Sequence, residues 1–269
     1  MMEDQELKQE LKDAIESILE ETFKEISNAY RWQKEIGGND NSADGSGKSL
    51  IVFPNYNDIP NKSLRESDIK NYTRVSEQEL RFIFVEKFNE YFKNNKNNND
   101  KLFFYSIETP TDKSYVFDED NGGPKVVSTT DGEENENKKG VSARIDLVIM
   151  TKDPGEFKRV ALIEFKAHNP DVNDYRKDIC KLINEEWKDN PNCLKYFIQI
   201  INVNNEQRTW NNIENKKITA IDALNDKDIK YSIEYRCFNL NSKNIKYGVI
   251  KNYKDKLEFT GCKSLSTAE

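Results

Sequence analysis

Three charged residues in two apolar segments have the types and spacing to do chemistry: Asp146 in "RIDLVI", and Glu164 and Lys166 in "ALIEFKA". Such side chains are almost never fully buried unless they are paired or coordinate something. Side chains alternate faces along a strand. Glu164 and Lys166 therefore share one face with Val160 and Leu162, while Ala161, Ile163 and Phe165 take the other. Asp146, with Val148 and Met150, interrupts a second strand whose opposite face carries Ile145, Leu147 and Ile149. The intervening "TKDPGEFK" suits a hairpin turn, and hairpin pairing can bring Asp146 beside Glu164.

Two carboxylates and an ammonium at one spot suit a hard cation. Mg²⁺ binds through one or two carboxylates and keeps positions for water and phosphate. Such an ion lowers the pKa of its water and neutralises charge on phosphate oxygens. A neighbouring lysine can orient that water or stabilise the pentacovalent charge. The competing reading is an ion cluster that ties two strands together, a poor stabiliser because desolvation often exceeds the Coulombic gain.

Apolar positions from Leu7 to Tyr30 fall at helical spacing and predict a long amphipathic helix over 4–35. "GGNDNSADGSGK" reads as a loop. Its "GSGKS" resembles the tail of a phosphate-binding loop, but Ser42 stands where that motif needs glycine. "LIVF" (50–53) suggests a short strand, followed by a polar connector to about residue 75. Ser76 then opens a helix, with Ser76 and Glu79 in a capping-box pattern. "KLFFYSIE" predicts a strand, and 109–140 reads as a polar stretch with a hairpin around "SYVF" and "KVV" and an exposed tip at "DGEENENKKG".

After the two charged strands comes a helix with Asn169 at its cap and Pro170 in its first turn. Its apolar face is Val172, Tyr175, Ile179, Leu182, Ile183 and Trp187. A strand at 194–203, a helix near 206–225 and two last strands (230–239 and 245–251) follow, giving an α/β sandwich.

The net charge of −7 gives no support to bulk electrostatic binding of nucleic acid or anionic membrane, though a local basic cleft is compatible with it. A single histidine, His168, excludes mechanisms and metal sites that need two; it reads as a packing or capping residue. Four scattered cysteines without a CxxC pair point to reduced thiols. The charged N-terminus is no secretory signal and no apolar run reaches the roughly 20 residues that span a membrane, so the expectation is a cytoplasmic protein.

Asp146 followed 18 residues later by Glu164-Phe165-Lys166, on apolar strands flanked by helices, resembles the PD-(D/E)xK nuclease superfamily. "RID" stands where the family name has "PD". The resemblance covers roughly residues 76–205. It implies a restriction-endonuclease-like core, a mixed central sheet flanked by helices. Residues 1–75 would then be an N-terminal helix and connector packed on or extending a nuclease-like domain of residues 76–269.

The resemblance further implies Asp146 and Glu164 as metal ligands, the Phe165 carbonyl as a third, and Lys166 placed against the attacking water. Many members carry a glutamate on the first helix. Glu77, in register with Leu80, Phe84, Phe88 and Tyr91, is preferred to Glu79, which has the cap. On the helix after the motif, Lys177, Lys181 and Lys188 with Arg176 form either a solvated face or a phosphate-contacting one, with Lys177 and Lys181 the candidate nucleic-acid contacts.

The expected activity is Mg²⁺-dependent hydrolysis of nucleic acid, with Mn²⁺ as a substitute ion and DNA favoured over RNA. A homodimer is one way to cut both strands of a duplex. The rival expectations are a catalytically silent nucleic-acid-binding or scaffold protein and a hydrolase of another phosphorylated substrate.

Overall fold

The computed structural model describes residues 2–36, 53, 75–94, 103–118, 123–127, 140–153, 155–185, 193–224, 231–251 and 257–265. The loop at 37–48, "LIV" before Phe53, the tip at 131–139, Trp187 and Lys188 lie outside them. Phe53 itself is buried and lies in no strand; its N–H and C=O are both bonded by the Gln33 side chain, at 2.8 and 2.6 Å.

The described elements are α1 (Met2–Ile36), α2 (Glu77–Asn94), β1 (Phe103–Asp118), β2 (Gly123–Val127), β3 (Val141–Asp153), β4 (Glu156–Ala167), α3 (Val172–Asn184), β5 (Leu194–Ile201), α4 (Glu206–Leu224), β6 (Ser232–Asn239), β7 (Asn244–Lys251) and β8 (Leu257–Ser264). The strands form one mixed sheet in the order β2-β1-β3-β4-β5-β6-β7-β8. Pairing is antiparallel except at β4·β5 and β5·β6, which are parallel. Parallel neighbours need a crossover, and α3 and α4 supply the two.

Each face of the sheet has its own apolar layer. Leu194, Tyr196, Ile198 and Ile200 of β5 pack with α1 and α2, together with Ile163 and Phe165 of β4. Phe197 and Ile201 face α3 and α4, together with Leu162. Both faces of β4 and β5 are therefore covered, which explains their near-continuous apolar sequences. The N-terminal helix shares its core with α2 and the sheet through Leu11, Ile15, Ile18, Phe23 and Ile26. Ion pairs from Arg236 to Glu16 and from Lys12 to Glu234 tie its polar edge to β6.

Several expectations change. The stretch at 109–118 continues β1 past a register irregularity between Pro110 and Ser114, and "SYVF" then pairs with Pro124–Val127 as the expected hairpin. A third terminal strand, β8, follows the two predicted. In β4 a register shift opposite Ile149 and Met150 turns Val160 into the layer that also holds Ala161, so the strict alternation fails there. One extra residue in a strand re-aims its neighbours in this way. Ile145 likewise joins Val148 on the α3 side. Helix α3 starts after the predicted cap: Asp171 is the N-cap and its side chain accepts from Asp174 N at 3.0 Å. Aspartate is as good a cap as asparagine. Asn169 and Pro170 instead accept from Lys216 of α4, at 3.1 and 2.7 Å.

Candidate metal and charge-cluster site

The β3–β4 register pairs Leu147 with Ile163 and Val148 with Leu162, so Asp146 and Glu164 fall next in line. Phe165 N–H donates to Asp146 Oδ2 at 2.8 Å, which fixes the aspartate against the backbone of β4. The register therefore sets the two carboxyl groups side by side on neighbouring strands. Glu164 is buried, with 1% of its surface exposed. Burial, then the charges of Asp178 and Asp146, push its pKa well above the ordinary carboxylate range. Burial and Asp178 raise Asp146 in the same direction.

Lys166 points to the α3 side, as the alternation predicts. Its Nζ lies 2.7 Å from Asp178 Oδ2 and 3.5 Å from Glu77 Oε1. Burial opposes its charge, but Asp178 and Glu77 outweigh burial and hold its pKa above that of a free lysine. Glu77 arrives from the first turn of α2 and also accepts from Ala167 N at 3.4 Å. Burial chiefly raises its pKa, with Asp146 and Asp178 adding to the effect against Lys166. Glu79 takes the capping role: its carboxylate accepts from Ser76 N at 2.8 Å, while Ser76 Oγ accepts from Gln78 N at 3.2 Å.

Lys181 departs from expectation. It occupies neither a solvated nor a phosphate-facing position: its side chain is 10% exposed and pairs with Glu164 at 2.7 Å and Asp178 at 2.9 Å. Lys177, by contrast, is half-buried on the same helix. Asp178 is the residue that sequence reasoning missed. It is buried between Lys166 and Lys181, and the two ammonium groups outweigh burial to hold its pKa below the ordinary aspartate value. The available signal was its place on the inward arc of α3, three residues from Tyr175 and next to Ile179. Arg81 of α2 completes the rim, paired with Glu108 and 3.6 Å from Asp146 Oδ1.

Among the described residues no three His, Cys, Asp or Glu side chains converge as a ready-made metal cage. The donor set is two carboxylates that face each other on neighbouring strands, with the Phe165 carbonyl on the chain between Glu164 and Lys166. This fits a cation that needs only one or two protein carboxylates. Like-charged carboxyls held together favour a proton or cation between them.

The lone histidine lies just beyond Lys166. His168 has φ 62°, its N–H donates to Ile200 O at 2.7 Å, and its carbonyl accepts from Gln199 Nε2 at 2.5 Å. Gln199, the cross-strand partner of Lys166, also bonds Tyr175 and Tyr235. Below it lies Lys217 of α4, fully buried, with Nζ 3.2 Å from Gln199 Oε1 and 3.3 Å from the centre of the Tyr235 ring. Burial drives its pKa well below that of a free lysine.

Lys217→Met should therefore raise Tm by about 2–4 °C, the equivalent of about 1 kcal/mol in a chain of this size. Gln199 Oε1 keeps the Tyr235 hydroxyl at 2.9 Å, so no acceptor is orphaned. Because the folded state binds fewer protons at Lys217 than the unfolded chain does, wild-type stability gains from rising pH up to about 10.5, the value of a free lysine. Thermal melts between pH 7 and 9.5 should show a shallower slope for the variant; equal slopes would contradict the assignment.

All four cysteines are free, as expected. Among the described residues no helix is long and apolar enough to cross a membrane. Comparisons with protein-family models, curated proteins and solved structures each found no match.

Proposed function

We propose that the chain is a metal-dependent nuclease of PD-(D/E)xK type, hydrolysing phosphodiester bonds of nucleic acid, with DNA the favoured substrate. The observation that carries this reading is the register that sets Asp146 beside Glu164 on antiparallel neighbours, with Asp146 bonded to Phe165 N–H and Lys166 on the same strand and face as Glu164. The order α2, β1, β3, β4, α3, β5, with β5 parallel to β4, supports a restriction-endonuclease-like core.

Asp146, Glu164 and the Phe165 carbonyl would hold Mg²⁺, or Mn²⁺ in its place. When bound, the ion supplies a more acidic water and neutralises phosphate charge. Lys166, kept protonated by Asp178 and Glu77, orients the attacking water and stabilises the pentacovalent phosphate as a fixed positive charge. Asp178 holds that ammonium in place, and Glu77 sits at the open side, half exposed, where it can accept a proton. Lys177 is the candidate phosphate contact on α3; Lys181 is committed to the interior. A homodimer would bring two such sites to a duplex.

The test is cleavage of plasmid DNA, single-stranded DNA and RNA, with Mg²⁺ and with EDTA. Lys166→Met should lose at least about 10²-fold in rate, the scale of removing one preorganised charge-stabilising donor, and EDTA should stop the wild type. Cleavage indifferent to both would refute the proposal. Nucleic-acid binding without any cleavage would favour the silent binding protein.

A further inference from the structure

The next inference rests on that reading and concerns how many ions the cluster holds. Lys181 Nζ lies 2.7 Å from Glu164 Oε1, 2.9 Å from Asp178 Oδ1 and 2.9 Å from the Arg144 carbonyl oxygen. The ammonium donates to the Arg144 carbonyl and is ion-paired with both carboxylates, so three oxygens surround one buried positive centre. Two carboxylates from different elements and a main-chain carbonyl around one positive centre are the kind of donor set that hard divalent ions take. Glu164 links the two positions: it pairs with Lys181 through Oε1 and stands next to Asp146 in the strand register.

We propose that the Lys181 ammonium occupies the place of a second divalent ion, so that this site binds one divalent cation and not two. Charge balance agrees. In the ionised state that binds a cation, Glu77, Asp146, Glu164 and Asp178 bring four negative charges, Lys166 and Lys181 bring two positive ones, and Arg81 is matched by Glu108. One divalent ion neutralises the two negative charges that remain. A second would leave two uncompensated positive charges in a buried cluster, where unpaired charge costs most.

The count is made by isothermal titration of the full chain with Mn²⁺ in the absence of nucleic acid. Wild type should bind one ion per chain, Asp146→Asn none, and Lys181→Ala two. Two ions on wild type, or one ion on a folded Lys181→Ala, would each overturn the assignment of Lys181 while leaving cleavage to be judged by the assay above; an ion retained by Asp146→Asn would place it away from Asp146 and overturn the ligand set and this inference together. No ion on wild type would overturn the metal-dependent reading and this inference together. If Lys181→Ala loses its fold in metal-free buffer, Mn²⁺ should restore the native circular dichroism, because the ion replaces the lost ammonium; failure to restore it would also overturn the assignment.

Discussion

Asp146→Asn should abolish Mg²⁺-dependent cleavage, by about 10³-fold or more, and at the same time raise Tm by about 2–4 °C in metal-free buffer at neutral pH. The activity loss follows from removing a negative charge where a cation must be held; asparagine offers one neutral oxygen in its place. The stability gain has a separate origin. Burial and the charge of Asp178 raise the folded-state pKa of Asp146. A carboxyl whose pKa is higher folded than unfolded costs stability wherever both states are ionised.

Asparagine removes that charge and keeps an acceptor for Phe165 N–H, now 2.8 Å from Asp146 Oδ2. The stabilisation corresponds to about 1 kcal/mol in a chain of this length. A single-turnover cleavage assay and a thermal melt on the same protein check both halves. Lost activity with a lowered Tm would mean that Asp146 is a structural partner; retained activity would remove it from the metal site.

The parts of this site that can be read from sequence are those governed by the two-residue period. Alternation along "ALIEFKA" and "RIDLVI" puts Glu164 and Lys166 on one face, and the hairpin between the segments delivers Asp146 to Glu164. The helical period places Glu77 on the inward stripe of α2. What alternation cannot show is which charged residues of α3 turn inward. Lys181 and Lys177 look alike on a helical wheel, and only the strand behind α3 distinguishes them, because Glu164 gives Lys181 a buried partner.

Lys217 was legible in principle. It sits on the stripe Trp210, Ile213, Ala220 and Ile221, where an apolar residue is expected. The misplacements have local causes: Asp171 displaces Asn169 as the cap, a bulge breaks alternation at Val160, and β8 is a sheet-edge strand whose alternation, Leu257 and Phe259, stops at Gly261.

Asp178→Ala should be the most destabilising single change in the cluster. Asp178 is a buried carboxylate ion-paired with two ammonium groups, half-buried Lys166 at 2.7 Å and buried Lys181 at 2.9 Å. Deleting it leaves Lys181 with Glu164 and the Arg144 carbonyl, while Lys166 keeps only the more distant, half-exposed Glu77. Breaking a buried pair from one side costs about 3–5 kcal/mol, which lowers Tm by roughly 10 °C here. The penalty comes from the stranded positive charges, so Asp178→Asn should be milder, because its amide oxygen can still accept from one lysine. Cleavage should also fall in Asp178→Asn at temperatures where the fold is intact, since Lys166 then loses its 2.7 Å pairing with a charged carboxylate and keeps only that of Glu77 at 3.5 Å. Melts of both variants, with rates measured well below their transitions, separate the two effects. A shift of less than about 2 °C in Asp178→Ala would show that Lys166 and Lys181 find other partners and that Asp178 does not hold the cluster together.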